Sequence, residues 1–180
     1  MHHAFTVRYS TKIRTLRTKV GVCLPGMSDD VVGASVIVKE YIALWDTGAT
    51  GSCISKQIIN DLNLKPINIV KTHHAGGTSF VNLYLVNILL PNGVMIGNVK
   101  VTEAQLVESD AGNDPERMHI LIGMDVIGNG DLAVTNLENT TMSFRIPSVE
   151  TIDFVPQAKE HNVMEGGNRE QRRLLKKGKK

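Results

Sequence analysis

Apolar residues along this chain recur mostly at every second position, the period of a half-buried strand, and only briefly at helical spacing. From residue 5 to residue 24 they partly alternate with polar ones (Phe5, Val7, Tyr9, then Ile13, Leu16, Val20, Val22), predicting one or two strands with Thr and Arg on the wet face. Residues 25–30 read as a turn or loop. Residues 31–38 read as a strand joined through Lys39 and Glu40 to a second strand over 42–45. Further strands are expected over 67–72, 80–90 and 94–101, with turns at 73–78 and 91–93.

Helical spacing is short-lived. Ser55 is a plausible N-cap for a helix from residue 56 to about 62, with Ile58, Ile59 and Leu62 on one side and Pro66 closing the segment. Residues 118–123 form an apolar strand that ends at Gly123 and runs into one helical turn. After it, strand-like pieces at 132–135 and 142–146 flank a hairpin at 136–140. The pattern therefore describes an all-β domain with one or two short helices.

Composition narrows the class. At 180 residues, 42% of them apolar, the chain is long enough for one well-buried domain with extensions and too short for two ordinary ones. No stretch approaches 18 uninterrupted apolar residues, so no membrane span is expected. The start, Met1-His2-His3-Ala4-Phe5, lacks a basic segment followed by an apolar run, and a cytoplasmic location is expected. Two cysteines, Cys23 and Cys53, form neither a disulfide framework nor a metal-ligand spacing, and both are expected to be reduced. Cys53 reads as a small half-buried residue, with an oxidation switch as the alternative.

Charge is uneven. Residues 169–180 carry seven Lys or Arg against one Glu, which leaves the rest of the chain at −4 within a net charge of +2. That basic tail is a candidate for an anionic partner, weighed against a disordered solubilising end. Residues 108–117 form an acidic loop containing Gly and Pro, expected to be a solvated insertion without chemistry.

The candidate chemistry sits where the strand over 42–45 ends. It delivers the carboxylate of Asp46 into a turn made of Thr47, Gly48 and Ala49, where burial can act on an ionisable group. Thr47 adds a hydroxyl, and Gly48 lets the backbone bend and bring its N–H to the carboxylate. The stretch Asp46-Thr47-Gly48-Ala49, followed by Ser52 and Ile54, resembles the active-site loop of retropepsin-like aspartic peptidases. Trp45 departs from the aliphatic residue more often found before that Asp, and is expected to narrow the pocket floor. Two further stretches resemble the family in its order. Ala75, Gly76 and Gly77 occupy a hairpin tip like the flap that folds over substrate, and Leu121-Ile122-Gly123 precede a short helix opening near Asp125. The glycine is expected where this strand passes so close to the Asp46 loop that a Cβ would collide. Asp125 is expected to cap the helix start or to pair with an Arg.

The resemblance covers about residues 31–147 and implies a retropepsin-like acid-protease half-barrel. Residues 1–30 are then an N-terminal extension with strands of its own, and 148–180 a C-terminal extension with the basic tail. An aspartic peptidase needs two carboxylates sharing a proton, and this chain has one Asp-Thr-Gly and no internal repeat. The resemblance thus implies an endopeptidase acting on extended polypeptides as a homodimer, with Asp46 of each copy in one site. Asp46, Thr47 and Gly48 are its catalytic residues, Ala49, Ala75, Gly76 and Gly77 its substrate-binding residues, and no metal or cofactor is required. His73 and His74 invite a metal reading, which is disfavoured because neighbours in an extended segment point to opposite faces and no third ligand is evident. The alternatives are a catalytically silent dimeric binding module on the same fold, or a particle- or nucleic-acid-associated protein acting through its tail.

Overall fold

Alternating Val, Ile and Leu with Thr, Lys and Asn, this chain offers one face of each strand to a core and the other to water, and the computed structural model is built accordingly. It describes residues 1–26, 37–74, 77–106 and 117–168; the strand expected over 31–38 lies outside them except for residues 37 and 38, which are not strand. The acidic loop (except Arg117), the hairpin-tip residues Ala75 and Gly76, and the basic run 169–180 also lie outside. In chain order the elements are β1 (His3–Arg8), β2 (Leu16–Cys23), β3 (Lys39–Trp45), β4 (Cys53–Ile54), α1 (Lys56–Asp61), β5 (Asn68–His74), β6 (Gly77–Leu89), β7 (Met95–Glu103), β8 (Met118–Ile122), α2 (Met124–Ile127), β9 (Asp131–Thr135), β10 (Thr141–Ile146) and α3 (Phe154–Gly166).

Two sheets result. The larger runs β2-β3-β8-β4-β7-β6-β5, and β2 also pairs with β6 from Gly21 opposite Leu89 to Cys23 opposite Asn87, which curls six strands into a barrel. Its interior is filled by Val20, Val22, Ile54, Ile88, Val101, Ile120 and Ile122, all fully buried or nearly so. Each such side chain contributes about 1.5–3 kcal/mol of hydrophobic stabilisation. The smaller sheet, β1-β10-β9, joins this core through an aromatic cluster in which Trp45 lies 5.8 Å from Phe5 and 5.1 Å from Phe144, centroid to centroid. The architecture is the all-β half-barrel with short helices that the pattern and the resemblance implied.

The neighbours of β3 differ from the expected ones. Its antiparallel partner is β2, with Leu16 opposite Trp45 and Val22 opposite Lys39, and its parallel partner is β8. Lys39 and Glu40, expected as a connector, are strand residues, because main-chain pairing is indifferent to a charged side chain on the wet face; Glu40 there lies 3.8 Å from Lys19.

The chain divides into two compact units, Met1–Ser148 and Val149–Lys180. The second contains α3, which the apolar pattern did not predict, since Phe154, Val155 and Met164 form no stripe and are all exposed. Local signals start and stop it instead. Asp153 accepts a 2.9 Å hydrogen bond from the Val155 N–H, Pro156 sits in the first turn where it costs no hydrogen bond, and Gly167 ends the helix. Among the described residues no helix is long and apolar enough to cross a membrane.

Candidate active site

β3 carries the candidate carboxylate to the end of the barrel. Beyond Trp45 the ladder with β8 continues for one more bond, from the Asp46 N–H to the Ile122 carbonyl at 3.0 Å, and then the chain turns. The Ala49 N–H closes the turn on the Asp46 carbonyl at 3.3 Å, and the Gly48 N–H donates to Asp46 Oδ1 at 2.8 Å. A Cβ at Gly48 would lie 3.2 Å from that oxygen, so glycine lets the amide approach its own neighbour's carboxylate. Asp46 and Ala49 are half-buried, while Thr47 and Gly48 are exposed. The result is an oriented carboxylate at an open surface, the state from which a base can meet a water or a substrate.

The loop is clamped from below by the start of α2. The Met124 N–H donates to the Ala49 carbonyl at 2.8 Å and the Asp125 N–H to the Thr50 carbonyl at 3.2 Å. Ser52 ties the two segments further: its N–H and Oγ donate to the Asp125 carboxylate at 3.0 and 2.7 Å, and its Oγ accepts from the Gly123 N–H at 3.0 Å. Asp125 Oδ1 also accepts from the Val126 N–H at 3.0 Å. In place of the expected helix cap or Arg pair, the N-cap position is Gly123, which has no side-chain cap; Asp125 lies in the first turn and its partner from the Asp46 loop is Ser52. Gly123 lies where the two segments touch: a Cβ there would stand 2.7 Å from the Gly51 carbonyl carbon and 2.9 Å from the Ala49 oxygen. That is the collision the sequence led us to expect.

Two neighbours of the loop depart from expectation. Trp45 does not narrow a pocket floor; its ring turns into the core, 4% exposed, and Nε1 donates to Thr18 Oγ1 at 2.9 Å. Cys53 is disfavoured as an oxidation switch, because burial, with the Asp125 and Asp46 charges, pushes its thiol up to about 11. A thiol kept protonated is a poor nucleophile.

Sequence reasoning also missed a polar pair. Ser55 occupies the N-cap of α1 but makes no side-chain cap; its Oγ pairs instead with His119 Nδ1 at 3.1 Å. Burial lowers the His119 pKa, with Arg117 acting in the same direction and Asp61 against it. The ring also meets Tyr41 edge-on at 5.9 Å, and the Tyr41 hydroxyl donates to Asp61 at 2.9 Å. The signal that could have found this pair was weak: a Ser and a His 64 positions apart, each at a strand end.

Opposing strands β5 and β6 form the candidate flap. Pairing runs from Asn68 opposite Leu83 up to His74 opposite Gly77, so the strands reach further into the expected 73–78 turn than its side chains suggested. Gly77 makes this feasible, with φ at +121°, a value that residues with a Cβ rarely adopt. His73 Nδ1 pairs with Thr78 Oγ1 across the strands at 3.0 Å.

Comparison with known proteins adds a family to this geometry. The chain is similar in structure to a retropepsin-like aspartic protease from Rickettsia conorii, with 10% identity over 81% of this chain and 94% of that one and a TM-score of 0.47. It is also similar to the Simian Foamy Virus (mac) protease, with 15% identity over 62% of this chain and 92% of that one and a TM-score of 0.37. Among curated proteins no match is found. The aspartyl protease family model matches residues 32–126, more than half of the chain, including the Asp46 loop, β8 and Asp125. The chain belongs to the aspartyl protease family.

Proposed function

We propose that the protein is an aspartic endopeptidase whose active site forms between two copies of the chain. The observation that carries this reading is the single Asp-Thr-Gly: Asp46 is oriented by the Gly48 N–H, half-buried, and flanked by exposed Thr47 and Gly48. One carboxylate lacks the shared proton that this chemistry uses, so a two-fold axis beside the loop supplies the second. In the dimer one Asp46 takes a proton from water as the water attacks the peptide carbonyl carbon. The other, protonated, donates to the carbonyl oxygen; collapse of the tetrahedral intermediate expels the amine, which leaves with a proton from the dyad. Thr47 links the two loops across the axis, Gly48 holds the carboxylate, and Ala49 with the tip residues Ala75, Gly76 and Gly77 contacts the extended substrate. Activity is expected to be bell-shaped in pH, because the dyad works with one proton and fails with none or two.

The test uses Asp46→Asn, which keeps the shape and removes the acid. Denatured casein is the substrate, and mutant and wild-type chains are mixed and allowed to exchange, with exchange followed by labelling. In an equal mixture about a quarter of the dimers are wild type, so activity per wild-type chain falls to about half. Constant activity per wild-type chain after exchange shows that each chain carries a complete site and ends the shared-dyad reading. A mutant that alone cleaves as fast as wild type ends the peptidase reading, and an inactive wild-type dimer that binds peptide makes the protein a binding module.

A further inference from the structure

β2 has an open edge. On one side it pairs with β3 along its length, but on the other it meets β6 only from Gly21 opposite Leu89 to Cys23 opposite Asn87. One more step of that antiparallel register would set Lys19 opposite Pro91, and proline has no N–H to give a ladder. The pairing stops there, and among the described residues no strand lies against this edge of β2 between Leu16 and Val20. The Tyr9 hydroxyl donates to the Arg17 carbonyl at 2.8 Å and accepts from the Arg17 N–H at 3.1 Å. Those backbone groups therefore point away from β3, and by the two-residue period of a strand so do those of Lys19.

A groove of about 540 Å³ follows this edge. Val7, Ile13, Ile42 and Pro91 give it hydrocarbon walls, and Arg17 and Lys19 border it. The loop that carries Ile13 is pinned by buried Thr140: the Tyr9 N–H donates to the Thr140 carbonyl at 3.0 Å, the Ile13 N–H to its Oγ1 at 2.9 Å, and its own N–H to the Thr11 carbonyl at 3.2 Å. The wall is thus formed before any partner arrives. Charge here has one sign: residues 1–26 carry Arg8, Lys12, Arg14, Arg17 and Lys19 and no Asp or Glu, and Lys12 and Arg14, which flank Ile13, are exposed. Glu40 of β3 reaches Lys19 at 3.8 Å, at side-chain exposures of 73% and 72%, a pair that water screens and a competing carboxylate can replace.

We propose that this groove docks an extended acidic peptide of a partner protein, in which apolar side chains alternate with carboxylates. The extended form follows from the edge, where an added strand meets the outward N–H and carbonyl of Lys19. A period of two then sends alternate side chains among Val7, Ile13 and Ile42 and leaves the others to Lys12, Arg14 and Lys19. A nucleic acid strand fits less well, because bases need aromatic faces to stack on and these walls are largely aliphatic. No residue lining the groove belongs to the Asp46 loop, so the proposal does not depend on the peptidase reading.

The probe is a fluorescein-labelled peptide of alternating Glu and Ile, and fluorescence polarisation reads its affinity for the full chain carrying Asp46→Asn, so that cleavage cannot consume it. Replacing Glu by Gln, or Ile by Ala, in the probe should each weaken binding about tenfold or more. Ile13→Ala and Lys19→Ala in the protein should each raise Kd about three- to tenfold, whereas Lys100→Ala, which removes an exposed cation on β7, should leave it unchanged. The basic run 169–180 is common to every form, so differences between forms report the groove. Melting temperatures check that the variants are folded; if Ile13→Ala is not, Lys19→Ala and the two altered probes still decide. Binding that follows probe charge alone and is as tight in Ile13→Ala and Lys19→Ala as in the parent places the peptide elsewhere and overturns the proposal. Two other results overturn it as well: oligothymidylate that binds more tightly than the peptide and is weakened by Ile13→Ala, which makes the ligand a nucleic acid, and a dimer in sedimentation that Ile13→Ala dissociates, which makes the groove an interface between copies of the chain.

Discussion

The loop that carries Asp46 and the hairpin expected to cover it are built on opposite principles. The loop is bound at nearly every step: Asp46 to Ile122, Ala49 to Met124, Thr50 to Asp125, and Ser52 to both Gly123 and Asp125. Beneath it Trp45 is locked between Phe5 and Phe144. Tipward of Leu83, where the pairing of β6 with β7 ends, the hairpin is held by its own two-stranded ladder, while Ile69 and Phe80 stand mostly in solvent. A site that must hold a carboxylate to fractions of an ångström needs the first kind of construction, and a cover that must admit a polypeptide needs the second. The difference also predicts how each fails: damage to the loop should cost folding and catalysis together, and damage to the hairpin should cost binding.

The sharpest break is Gly123→Ala. Its Cβ would meet backbone on two sides, at Gly51 and Ala49, and backbone cannot rotate away as a side chain can. Stability is expected to fall by about 3 kcal/mol, with activity lost even where the protein is still folded; urea unfolding and casein cleavage measure the two. Wild-type stability in this variant would mean that the clamp is loose.

Asp125→Ala should come next. It leaves the Ser52 N–H and hydroxyl without their acceptor and is expected to cost about 1–3 kcal/mol, lowering kcat more than it raises KM. Asp125→Asn, which keeps an acceptor oxygen, should recover part of both. Equal loss in the two variants would show that charge, rather than the hydrogen bonds, holds the loop.

In the hairpin, Gly77→Ala forces a Cβ onto a backbone at φ +121° although nothing stands within 4 Å of it. The expected cost is about 1–3 kcal/mol of local strain, felt as a KM several-fold higher and little change in melting temperature, because Gly77 is exposed and away from the core. A large fall in melting temperature would erase the contrast between the two regions.

The smallest effect concerns His119, which pairs with Ser55 beside the β4–β8 ladder. Burial lowers its pKa, so between its folded value and about 6.5 the unfolded chain binds more protons than the folded one. This group's contribution to stability is therefore complete above about pH 6.5 and is lost as pH falls through the folded pKa. His119→Gln should remove that part of the acid-side loss, so unfolding curves at pH 5 and pH 7.5 should lie closer together than in wild type. An unchanged gap would show that carboxylates alone set the acid sensitivity.

Much of this was readable in residue order. The alternation of β5 through β7, the turn at Pro91-Asn92-Gly93, the short helix after Ser55 and the strand ending at Gly123 are local facts, because period and turn residues act within a few positions. The Asp46 turn is local too: the Gly48 amide can reach the Asp46 carboxylate only because the two are neighbours in the chain.

What the sequence by itself determined, then, is which side chains can share a strand face and where the chain must bend. Only the tertiary structure decided which strands lie beside one another, since a period of two names a face and not a neighbour. β2 lies against β3 along its length and also closes on β6, and that closure involves residues far apart in the chain. The β4–β8 pairing likewise brings Ser52 to Asp125, 73 positions away, and Ser55 to His119, and the smaller sheet draws the Trp45 ring toward Phe5 and Phe144 instead of the site. Contacts of this kind are fixed by packing between distant segments, where the stabilising term is burial of surface that no local pattern can assign to a partner.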